Sequence, residues 1–130
     1  MSIIISTYWL SILVGAGLAF GLGMVWYHPS VFGRAWMAEQ PHHSFPDAFS
    51  TGMKAGMIAS LINAILVATL VTALFVILYY PGVILLMLAI LAGTFSAACF
   101  QGRTVKIWMI DAGFLVAQLV IMLGALRLLT

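Results

Sequence analysis

From Ala55 to Gly102 the chain carries no charged side chain for 48 residues. As a single α-helix that run would extend about 72 Å, while the hydrocarbon core of a bilayer is about 30 Å thick. One crossing cannot contain it, so the chain must turn within the run. The sequence offers Tyr79-Tyr80-Pro81-Gly82 for the turn. Proline there removes a backbone donor and glycine accepts a tight bend.

The remainder of the 130 residues is of the same character, with 65% hydrophobic and only 6% charged positions. Ordinary soluble domains carry roughly 25% charged residues, because a compact particle of this size must present much polar surface to water. Three acids and five bases do not suffice for that. The composition excludes a soluble enzyme, a disordered chain and a secreted disulfide scaffold; Cys99 is alone and can form no intrachain disulfide. The net charge of +2 comes from dispersed bases rather than a basic tract, which argues against a nucleic-acid partner. A polytopic membrane protein remains, all-α, in one domain over 1–130, with membrane lipids as its surroundings.

Four spans are expected: about Ile4 to Tyr27, Thr51 to Tyr79, Val83 to Gln101 and Val105 to Leu128, assembled as a four-helix bundle. No Lys or Arg precedes Arg34 and no small-x-small cleavage site follows a short apolar core, so the first span reads as a retained helix rather than a signal peptide. Residues 28–50 form the one long connection, interrupted by Pro29, Pro41 and Pro46. Within it Val31, Phe32, Ala35, Trp36 and Met37 lie near helical spacing with Arg34 and Glu39 off that face, the pattern of a short interfacial helix; an irregular loop is the alternative. Arg34, Lys54, Arg103 and Lys106 flank the first and third connections, against Arg127 alone at the other side. Basic residues resist translocation, so both termini are expected outside the cytoplasm and the loops at 28–50 and 102–106 inside it. A bacterial inner membrane is the expected location. Tyr8, Trp9, Tyr79 and Tyr80 would mark the outer interface, and Trp26, Tyr27, Trp36 and Trp108 the inner one.

Candidate sites are few. Gly15, Gly17, Ala19, Gly21 and Gly23 give the first helix overlapping small-xxx-small spacings, and Gly113 with Ala117 gives the last one another. Such spacings let backbones approach closely, within the chain or between chains. Asn63 and Gln118 fall at matching mid-membrane depths, where an amide needs partners, so both are expected to face the interior and to join their helices. Asp111 is the one acid within a span. It pairs with a local base or caps the helix start in one reading, and handles protons or ions in another. His28, His42 and His43 with Met53 and Met57 would compose a soft-metal site, but their spacing is unconstrained, so no metal and no cofactor is expected. His28 is better placed to hydrogen-bond at the membrane surface. No paired carboxylates, HExxH, P-loop or CxxC are present, and no enzymatic activity is expected.

Two motifs carry a family resemblance. Trp26-Tyr27-His28-Pro29-Ser30-Val31-Phe32-Gly33-Arg34-Ala35-Trp36, directly after a glycine-rich helix, resembles the signature of the domain of unknown function 1761 family. Asp111-Ala112-Gly113-Phe114 resembles the Asp-x-Gly-aromatic start of that family's last helix. His28 and Phe114 stand where the resemblance leads one to expect a small polar residue and a tyrosine. The resemblance implies a small multispan membrane protein without an assigned activity. The residues themselves point to a protein that works by helix association, as a homo-oligomer or as a small subunit of a larger complex. The alternative is an oligomeric transporter or channel for a small solute, ion or proton, with Asp111, Asn63 and Gln118 along its path. Small multidrug transporters match the size, but they carry an acid in the first helix and this chain does not.

Overall fold

A computed structural model describes residues 2–38 and 51–130, and every regular element among them is helical. Helix α1 covers Ser2–Trp26, and a π-helical turn follows at Pro29–Gly33. Helix α2 covers Arg34–Ala38, α3 covers Thr51–Phe100 and α4 covers Val105–Leu129. Among the described residues three helices are long and apolar enough to cross a membrane, Ile3–Trp26, Lys54–Phe100 and Val105–Leu129. The second of these, at 47 residues, far exceeds one crossing.

Helix α3 folds back on itself. Tyr79 leaves helical geometry, with φ 58° and ψ −148°, and Pro81 follows at the start of the second arm, where its missing N–H is no loss. Gly82 lies so close to the first arm that a Cβ on it would sit 2.8 Å from Leu78 Cβ and 3.1 Å from the Leu74 carbonyl oxygen. In a continuous helix positions 74 and 82 would be about 12 Å apart. The bend expected at Tyr79-Tyr80-Pro81-Gly82 is therefore present, with Tyr79 as its pivot. The backbone there occupies a region that costs a side-chain-bearing residue about 1–3 kcal/mol. Tyr79→Gly and Tyr79→Ala both remove the exposed ring that meets Phe75 edge-on, and only glycine relieves the backbone. The glycine variant should be the more stable of the two by about 1 kcal/mol, read by thermal unfolding in detergent. Equal melting would mean that the reversal is not held at Tyr79.

Helices α1 and α4 make the most extensive contact and run antiparallel: Gly15 faces Met122 and Ala125, Gly23 faces Phe114, and Trp26 faces Gly113. The second arm of α3 runs antiparallel to α4, joining it at Thr94 and Trp108, while Phe75 of the first arm lies beneath Arg127 at the opposite end. The core is built from Ile12, Ala16 and Ala19 of α1, Ala64, Ala68, Val71 and Val83 of α3, and Leu119 and Met122 of α4. Four of these nine are alanines, which lets the helices pack by close backbone approach. Thr72, buried beside them, donates its hydroxyl to the Ala68 carbonyl in its own helix and so needs no partner across the core.

Outward faces are apolar as well. Ile77, Leu85 and Val120 are 67%, 66% and 62% exposed, and similar side chains ring the whole surface. Water does not tolerate such a continuous apolar mantle, whereas lipid does.

The connection after α1 differs in detail from the expected interfacial helix. Its first part is the π turn, and α2 adds only five residues. Pro29 opens the turn where no donor is required, and His28 caps it by accepting the Ser30 N–H on Nδ1 at 3.1 Å. Phe32 does not lie with Trp36 on one stripe but packs on Trp26, ring centroids 4.7 Å apart, while Trp36 meets Tyr27 edge-on at 5.8 Å. Glu39, Pro41, His42, His43 and Pro46 lie outside the described residues.

Candidate functional site

A cluster of polar residues lies at one end, where α1 leaves and α4 begins. Helix α3 closes there with a capping pattern set by Gly102, whose φ of 68° suits glycine. The Gly102 N–H donates to the Cys99 carbonyl and the Arg103 N–H to that of Ala98, at 3.3 and 2.9 Å. Thr104 then starts α4, its hydroxyl accepting from the Ile107 N–H at 3.3 Å. This short junction fixes Arg103 at the rim and places Asp111 two turns further along α4.

Asp111 meets α1 rather than a base. The Tyr27 hydroxyl, just beyond the end of α1, donates to Asp111 Oδ1 at 2.5 Å. Beside it the Trp26 indole N–H donates to the Ile110 carbonyl at 3.0 Å. Phe114 fills the angle between these two rings, at centroid distances of 6.4 and 5.6 Å. Burial first, and then the hydrogen bond and charge of Asp111, push the Tyr27 phenol well above its ordinary value, so it keeps its proton and acts as donor. Gly113 makes this junction possible: a Cβ there would lie 2.9 Å from Trp26 Cζ2. No ion pair joins Asp111 to Arg103 or Lys106, so of the readings the sequence left open, pairing with a local base is not the contact made, and Tyr27 takes that place. Nothing in the sequence linked two residues 84 positions apart, and Tyr27 read only as an interfacial aromatic.

Asp111 also lines a cavity of about 150 Å³ shared with Thr94, Gln101, Arg103 and Trp108. Trp108 donates its indole N–H to Thr94 Oγ1 at 3.2 Å and stacks edge-on with Phe95 at 5.0 Å. From Trp108 an apolar groove of about 450 Å³ continues along Ala112, Gly113, Val116 and Ala117, with Leu91 opposite.

The other expected residues are scattered. Gln118 is buried, as expected from its position seven residues beyond Asp111 on the same helical face. Asn63 is not: it is exposed, and no hydrogen bond joins it to Gln118. Ala64 and Ala68 take the inner face of that arm and turn Asn63 outward. Arg34 is exposed at the end of the π turn, and His28 serves as that turn's cap. Among the described residues no group of three or more His, Cys, Asp or Glu is placed to hold a metal ion. The small residues of α1 divide in two. Gly15, Ala19 and Gly23 face inward, whereas Gly17 and Gly21 would have open space around an added Cβ.

Long apolar helices, an apolar outer surface and a polar cluster at one end fit an integral, helical membrane protein. Its sequence matches the family model for the protein of unknown function DUF1761 over residues 10–126, nearly the entire chain, and the protein belongs to that family. Both motifs that carried the resemblance, around Trp26–Trp36 and Asp111–Phe114, meet in space at this polar cluster. No curated protein and no solved structure matches the sequence.

Proposed function

We propose that the chain is a non-enzymatic membrane protein that crosses the bilayer four times and works by association with further copies of itself. The two arms of α3 supply the second and third crossings. Both termini lie outside the cytoplasm and the Arg34 and Arg103 ends inside it, in keeping with the basic residues at that end; a bacterial inner membrane suits this plan. The observation that carries the reading is Asn63. It lies about ten residues into its helix, some 15 Å deep at 1.5 Å per residue, exposed and without a hydrogen bond among the described residues. Gly56, Ala59 and Ser60 on the preceding turns are exposed too. An amide left in hydrocarbon costs free energy that a second amide removes, since each side chain both donates and accepts. Small residues beside it allow the close approach that such a pair requires.

The mass of the assembly released intact from membranes tests this. The wild-type chain should appear at a multiple of its own mass, and Asn63→Leu, which keeps the branched shape but neither donates nor accepts, should weaken association by about 3- to 30-fold. A wild-type monomer, or an Asn63→Leu assembly as tight as wild type, overturns the proposal.

A further inference from the structure

We infer that the cavity beside Asp111 and the groove leading from it bind a phospholipid whose headgroup carries a primary ammonium. The argument starts from charge. Arg103 and Asp111 line the same 150 Å³ cavity, yet no ion pair joins them. Asp111 engages the neutral Tyr27 hydroxyl through Oδ1 and leaves Oδ2 for a cation. A site that presents a separate guanidinium and carboxylate is complementary to a ligand with a phosphate and an ammonium a few bonds apart. The volume suits one such group, since a cavity of this size holds a molecule as large as benzene. It does not suit a large solute.

The order of polarity along the site then selects a lipid over a free headgroup. Arg103 sits at the helix junction and Asp111 two turns in, so the charges are at interfacial depth. Beyond them the lining becomes apolar, and Ala112, Val116 and Ala117 lead deeper along α4 with Leu91 on the facing arm. Their small side chains leave a furrow that an acyl chain fills. Trp108 lines both compartments, held by its hydrogen bond to Thr94, at the depth where indole rings mark the boundary between headgroup and chain. Lipid surrounds every membrane protein, but a bulk annular contact needs neither the acid nor the furrow.

The test is native mass spectrometry of the delipidated, detergent-solubilised full chain, titrated with lipids of matched acyl chains. Phosphatidylethanolamine should bind at one site about tenfold more tightly than phosphatidylglycerol, a difference of about 1.4 kcal/mol. Asp111→Asn keeps an acceptor for Tyr27 and should erase that preference. Arg103→Gln, at an exposed position, should weaken both lipids alike. Val116→Trp should block the groove and lower occupancy without changing the preference of what still binds. Water-soluble phosphoethanolamine should bind far more weakly than the lipid. Equal binding of the two lipids by wild type overturns the inference, as does binding indifferent to Asp111→Asn and Arg103→Gln together. Soluble phosphoethanolamine binding as tightly as the lipid would remove the groove from the site and overturn it as well. So would displacement of bound lipid by a second copy of the chain seated in the groove.

Discussion

Gly33→Ala should be among the most damaging single substitutions in this chain, lowering stability by about 3 kcal/mol or more. Gly33 is buried at the end of the π turn, where its N–H donates to the His28 carbonyl at 3.0 Å. The Val31 N–H donates to the same oxygen at 2.9 Å, so the backbone wraps tightly around that carbonyl. A Cβ on residue 33 would collide with the Tyr27 carbonyl oxygen and stand only 2.8 Å from both the carbonyl carbon and oxygen of His28. These are backbone atoms and cannot rotate aside as the end of a side chain would. The turn would have to open. Tyr27 and Trp26 would then be carried away from Asp111 and the Ile110 carbonyl, so the loss spreads from a loop into the α1–α4 contact. Thermal unfolding in detergent, with tryptophan emission as a second readout, checks this against Gly17→Ala, which has no atom to strike. Similar melting of the two variants would mean that the π turn does not close as described.

Much of this architecture was legible in the sequence for one reason: charges are so scarce that their absence marks the spans. The reversal at Tyr79 was legible because proline and glycine fall together midway along an uncharged run too long for one crossing. What periodicity could not supply was rotation about each helix axis. Asn63 and Gln118 match in depth, but Ala64 and Ala68 claim the inner face of one helix and leave Asn63 outside, while Gln118 is buried. In helices apolar on every side, no polar stripe tells inside from outside. The Asp111 site was half legible. Its acid was plain, yet its partner Tyr27 is 84 residues distant, and only the packing of α1 on α4 brings the two together. Gly102 ends α3 directly before Arg103, which explains how that arginine comes to line a cavity.

The same ambiguity of rotation gives a sharp contrast between two glycines of one helix. Gly15 and Gly17 are two residues apart, hence about 200° around the axis. The first faces α4, where an added Cβ would lie 3.3 Å from Met122 Cα and 3.7 Å from Ala125 Cβ; the second meets nothing within 4 Å. Gly15→Leu must separate the two helices that share the largest contact in the chain, because the obstructing atom belongs to the backbone of α4. Lipid tails are as apolar as leucine, so burying the added methylenes offers no compensating gain. The expected loss is about 3 kcal/mol, at the upper end for an overpacked site. Gly17→Leu presents the same side chain to lipid and should alter stability by no more than about 0.5 kcal/mol. The comparison holds composition, helix and propensity fixed, and only direction differs. A Gly17→Leu chain that melts as early as Gly15→Leu would mean that α1 is turned by half a revolution from the orientation described.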